Sequence, residues 1–86
     1  MNIILHRKFE KQYSKLSNGQ KKKFREQRDL FLINPFHPLL ANHPLHGSYG
    51  GYYSINIGGD LRAIYEWIDG ETAYFIALDT HSNLYS

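Results

Sequence analysis

The hydrophobic period of this chain changes once, across a proline-bearing stretch from Asn34 to Gly47, and the change divides it into a helical half and a stranded half. Before the change, Phe9, Tyr13 and Leu16 recur at i, i+4 and i+7, the spacing of one helix face. Ser17-Asn18-Gly19 interrupts the stripe. Asn18 is placed to cap a second helix from about Gly19 to Ile33, with Phe24, Leu30, Phe31 and Ile33 apolar and Pro35 as its stop. A short β-branched strand, Asn2 to His6, precedes both helices. Pro35, Pro38 and Pro44 would each cost a hydrogen bond inside a ladder or helix, so the stretch that holds them reads as a loop.

After the loop the period is two. Tyr49, Gly51, Tyr53, Ile55 and Ile57 alternate with Tyr52, Ser54 and Asn56, Gly58-Gly59 supplies a turn, and Asp60 to Ile68 resumes the alternation. Asp69-Gly70 marks a second tight turn before a strand from Ala73 to Leu78, and the tail from Asp79 is short. The order predicts an α+β fold: an N-terminal strand and two helices packed on one face of a mainly antiparallel four-stranded sheet. At 86 residues, 1–86 is one domain with one core.

Charge is distributed as unevenly as periodicity. Residues 1–43 hold nine Lys and Arg against three acids, whereas residues 44–86 hold one against five. Lys11, Lys15, Lys21, Lys22, Lys23, Arg25 and Arg28 fall on the polar faces of the two helices, where they serve either as solvated surface or as contacts for phosphates. The chain has no cysteine, which excludes disulfides and thiolate metal sites. No run approaches the roughly 20 apolar residues of a membrane span, and the first residues carry no basic leader, so the expectation is a cytoplasmic protein without a membrane partner.

No phosphate-cradling glycine loop, metalloprotease helix or nucleophile elbow is present, and His43 and His46 have no third ligand at supporting spacing, so neither a cofactor nor a metal is expected. Acid–base chemistry on RNA is better motivated. RNA supplies its own nucleophile, the ribose 2′-OH, so cleavage needs one group to take that proton, one to protonate the leaving 5′-oxygen and a cation for the extra negative charge. His43, Asp60, Arg62 and His81 supply those types, and Arg62 is the only Lys or Arg after residue 28.

Asn42-His43-Pro44-Leu45-His46-Gly47-Ser48-Tyr49 with Gly51-Tyr52 resembles a segment of the YafQ-like branch of the RelE/ParE toxin superfamily. Asp60-Leu61-Arg62-Ala63-Ile64-Tyr65 is similar to that superfamily's "D.R.IY" strand, and Thr80-His81-Ser82-Asn83-Leu84-Tyr85 to its terminal "(T/S)H..LF". The resemblance implies a RelE-like fold and an mRNA interferase that cuts A-site message on the 70S ribosome by metal-independent 2′-OH attack. It implies a cognate antitoxin as partner, with operator DNA reached only through that complex. It also implies His81 as general acid, Asp60 as general base or orienter, and His43 as activator of the 2′-OH or holder of the phosphate. Arg62 would bind the scissile phosphate and Tyr85 would stack on a nucleotide.

Two positions depart from the pattern. Asn56 stands where it has another active-site histidine; an amide hydrogen-bonds a phosphate but moves no proton. Leu61 replaces a tryptophan, and His46 or the tyrosines beside the motif are the residues placed to compensate. Two other readings stay open: a ParE-like toxin inhibiting DNA gyrase by contact alone, and a degenerate member that only binds antitoxin.

Overall fold

The computed structural model describes residues 1–85, apart from the side chain of Tyr85. Strand β1 (Asn2–Leu5) leads into α1 (Arg7–Ser14) and α2 (Asn18–Ile33). His6 caps α1, its Nδ1 accepting the Lys8 N–H at 2.9 Å. Ser17, rather than Asn18, caps α2. Its hydroxyl accepts the Gln20 N–H while the Gln20 side chain accepts the Ser17 N–H, a reciprocal box that satisfies two orphan donors. Asn18 is therefore the first helical residue. The helix ends at Asn34, whose extended backbone suits the residue before Pro35.

The expected loop is partly ordered. A 3-10 turn (Pro38–Leu40) buries Leu40, and β2 (His43–Pro44) adds an edge strand with His43 opposite Ser54 and Pro44 opposite Tyr53. Pro44 is tolerated because an edge strand leaves one row of backbone groups unpaired in any case. A second 3-10 turn (Gly47–Tyr49) precedes β3 (Tyr53–Gly58), which pairs with β4 (Leu61–Asp69), which in turn pairs with β5 (Thr72–Thr80). The segment from Tyr49 to Tyr52, alternating in sequence, is not a strand. Gly47 at φ +66° and Gly51 at φ +90° take the left-handed region that extended chain never visits. The tail is a third short helix, α3 (His81–Tyr85), started by the Asn83 N–H donating to Thr80 Oγ1.

The sheet thus has five strands, not four, in the order β1-β5-β4-β3-β2, and only β1 runs parallel to its neighbour, Asn2 lying opposite Thr72. Helices α1 and α2 cover one face. There Phe31 meets Tyr65, Trp67 and Phe75 at ring separations of 5.1, 5.9 and 5.4 Å, and Phe9 meets Phe24 and Phe75 at 5.4 and 5.8 Å. These rings, with Leu40, Ile55, Ile57 and Leu78, make a single core. Ile33, expected on the apolar face, is 82% exposed, and Gln27 takes a buried place instead.

Strand alternation turns the intervening side chains to the opposite, open face. Three rows cross it in register: Arg62 with Asn56, then Ile64 with Ser54 and His43, then Glu66 with Tyr74. No helix among the described residues is long and apolar enough to cross a membrane.

Candidate active site

A cavity of about 400 Å³ opens on this face, walled by His43, Pro44, Leu45, His46, Ser54, Arg62 and His81. Four residues singled out from the sequence therefore meet: two from the β2 segment, one from the start of β4 and one from the start of α3. A second cleft of about 390 Å³, between Lys15, Gln20 and Leu78 on the helical side, matches it in size but contains no imidazole.

The β2 segment is held by buried polar anchors. Asn42 Nδ2 donates to the Pro35 carbonyl at 2.8 Å and to the Tyr65 hydroxyl at 2.7 Å, tying the residue before His43 to the core. Gln27 Nε2 donates to the carbonyls of Leu39 and Asn56 at 3.1 and 2.9 Å, so α2 clamps the loop and β3 together. Sequence reasoning missed both anchors. An amide inside an otherwise apolar helical stripe, as at Gln27, was the signal available.

His43 Nδ1 lies 2.8 Å from the Ala41 carbonyl. A carbonyl only accepts, so Nδ1 carries the proton, and in the neutral ring Nε2 holds the lone pair. His43 is thereby set in the tautomer a base requires at Nε2. The left-handed backbone of Ala41, at φ +47°, is what turns its carbonyl back toward that ring.

Arg62 is held by one end. Its Nη1 donates to Asn56 Oδ1 at 2.9 Å, to the Gly59 carbonyl at 2.9 Å and to the Leu61 carbonyl at 3.1 Å. Its Nε and Nη2 have no acceptor among the described residues, and β5 offers none: Asp79, in register with Arg62, accepts instead from the Thr80 N–H and from Asn83 Nδ2. Asn56, at the place of the pattern's histidine, thus acts on Arg62. The arginine keeps its full charge beside the cavity, with its fork directed by an amide that cannot neutralise it.

The N–H of His81 donates to the Asp60 carbonyl at 2.8 Å, which pins the start of α3 to the β3–β4 turn and fixes where the imidazole enters the cavity. The Asp60 carboxylate is not part of the cavity wall. It stands at the rim, 3.5 Å from Ser82 Oγ. Leu61 is buried on the helical side and contributes no surface here. The side chain of Tyr85 lies outside the described residues. No group of three or more His, Asp or Glu among the described residues is placed to hold a metal ion.

Solved structures share this architecture along nearly the whole chain. The YoeB/ParE toxin from Agrobacterium tumefaciens superposes with a TM-score of 0.78 at 21% identity, over 94% of this chain and 99% of its own. This chain has the RelE-like fold. A chain of the Escherichia coli DinJ-YafQ toxin-antitoxin complex superposes at 0.75 with 24% identity, over 98% and 96% of the two chains. The archaeal RelE-RelB complex from Pyrococcus horikoshii OT3 gives 0.71 at 24% identity, over 92% of each. No protein-family model matches the chain, and no curated protein matches it by sequence. The RelE-like architecture expected from the three motifs is thus present, with the strand and helix counts corrected as above.

Proposed function

We propose that this chain is the toxin of a type II toxin–antitoxin pair, a metal-independent endoribonuclease that cuts messenger RNA on the ribosome. The observation that carries the reading is the meeting of His43, Arg62 and His81 around one cavity, with His43 fixed in the tautomer that leaves Nε2 able to accept a proton. His43 Nε2 takes the proton of the 2′-OH, and the 2′-oxygen attacks the adjacent phosphorus. The Nε and Nη2 of Arg62 hold the non-bridging oxygens as a fork and stabilise the charge gained in the pentacoordinate state. His81 gives a proton to the departing 5′-oxygen. The products are a 2′,3′-cyclic phosphate and a 5′-hydroxyl, and both imidazoles are restored by a proton exchange with solvent. Asp60, beside the first turn of α3, orients that element.

The ribosome supplies the alignment of substrate that an open cavity lacks. An antitoxin partner is supported by the likeness of the fold to that of the DinJ-YafQ toxin-antitoxin complex.

Primer extension on programmed ribosomes tests the reading with wild type and His81→Ala. Wild type should cut within the A-site codon, and His81→Ala should be slower by a factor of about 10² to 10⁴, the range contributed by a positioned acid. Full activity in His81→Ala removes the assigned acid. Intact message with inhibited gyrase supercoiling replaces the reading with the ParE-like one.

A further inference from the structure

The third row of the open face is used by no step above. Glu66 pairs with Tyr74 across β4 and β5, and on its other side Tyr52, one residue before the Tyr53 that pairs with Tyr65, falls beside it, so the three residues stand abreast. The proximity of the Glu66 negative charge, helped by desolvation, raises the Tyr52 hydroxyl above its ordinary pKa. Tyr74 is braced on its far side by the His6 ring at 5.7 Å. Between this row and Arg62 lie Ser54, Ile64 and Ala77, all three buried, so one covered row separates the half-buried tyrosines and Glu66 from the arginine. Arg62 and Glu66 are four residues apart on the same side of β4, roughly 13 Å along the strand.

Among the described residues Glu66 has no ion-pair partner, and the one salt bridge joins Arg28 and Asp29. An uncompensated carboxylate repels phosphate, so this row does not extend the backbone-binding surface begun by Arg62. What it presents is a set of acceptors flanked by two aromatic rings. That combination suits a base taken out of its stack, with its face on a ring and the N–H groups of its Watson–Crick edge on the carboxylate. Guanine offers two adjacent donors, N1–H and the 2-amino group, to one carboxylate. Adenine and cytosine offer one amino group, and uracil offers one N–H flanked by two carbonyl oxygens that the negative charge repels.

We infer that Tyr52, Glu66 and Tyr74 form a base-recognition subsite for a nucleotide near the scissile phosphate, selecting a base with N–H donors on its Watson–Crick edge and guanine above all. The inference rests on the ribonuclease reading, and its test has one arm that needs no cleavage.

In that arm, full-length His81→Ala is titrated with short single-stranded RNAs carrying one guanine or only uracil, and backbone amide shifts are followed by NMR. The guanine RNA should perturb Tyr52, Glu66 and Tyr74 at concentrations about tenfold lower than the uracil RNA, the discrimination expected of a two-donor contact. Adding Glu66→Gln should collapse that ratio towards one; substitution of Tyr74 by Leu should weaken both RNAs. Equal shifts with both RNAs, or shifts that avoid this row, overturn the subsite. In the second arm, programmed ribosomes carry A-site codons differing by one guanine or uracil, and the ratio of cutting between them should fall in Glu66→Gln. If wild type cuts neither message, the nuclease reading fails while the titration still decides the subsite. An unchanged base preference with weakened antitoxin binding in Glu66→Gln assigns the row to the protein partner and overturns the inference.

Discussion

Three of the five histidines of this chain are sorted by what their Nδ1 atoms face. His6 and His37 accept backbone N–H groups at Nδ1, from Lys8 at 2.9 Å and Leu39 at 3.1 Å, so both are caps of helical turns. His43 is the reverse: a carbonyl faces its Nδ1 and the proton must sit there. The same residue type therefore has opposite tautomers in structural and candidate catalytic positions, and the sequence, which shows five equivalent letters, cannot separate them. His43→Asn tests the assignment. An asparagine can still donate to the Ala41 carbonyl but cannot take a proton at neutral pH, so β2 should keep its place while cleavage of ribosome-bound message falls by about 10² or more. Circular dichroism and thermal melting should match the wild type within a few degrees; wild-type cleavage by this variant removes His43 as the base.

Among elements, the one that positions the site most is α2, through a single buried amide. Gln27 is buried, and its two bonds to the carbonyls of Leu39 and Asn56 join three segments distant in sequence. Gln27→Met fills the same volume and removes both bonds, which should cost about 1 to 3 kcal/mol in denaturant unfolding. It should also loosen the segment that carries His43, so cleavage should fall further than stability alone accounts for. A variant as stable as wild type would show that water satisfies those carbonyls.

The elements also mark how far local pattern reaches. Both helices, β1 and the β3-β4-β5 meander were legible because each has an uninterrupted period and clear breakers at its ends. The strand at His43–Pro44 was not, because two residues have no period and their pairing with Ser54 and Tyr53 is purely non-local. Tyr49 to Tyr52 misled in the other direction. Alternation there is real, but positive φ at Gly47 and Gly51 overrides it. Of the candidate site, His43, Arg62 and His81 were singled out by residue type and motif, and all three line the cavity. That Asn56 directs Arg62, and that Asn42 anchors β2 on Tyr65, follows from contacts between distant segments.

At the scale of the whole molecule, one aromatic stack couples the covered face of the sheet to the site on the open one. Tyr65 is fully buried among Phe31, Tyr53, Trp67 and Phe75, yet its hydroxyl accepts the Asn42 bond that holds the approach to His43. Burial, which disfavours the charged phenolate, pushes the Tyr65 hydroxyl up to about 12, against an opposing contribution from the Asn42 hydrogen bond. A group whose pKa is higher folded than unfolded contributes stability that is whole below the unfolded value and is lost as pH rises through the folded one. The unfolded chain releases this proton from about pH 10, so stability should decline between about pH 10 and 12. Tyr65→Phe removes the titrating group but leaves Asn42 with only the Pro35 carbonyl. It should therefore be less stable than wild type at pH 8 and show a shallower decline above pH 10, read by urea unfolding at each pH. Parallel curves for the two proteins would mean that other tyrosines carry the alkaline transition, and that the core and the site are not joined through this hydroxyl.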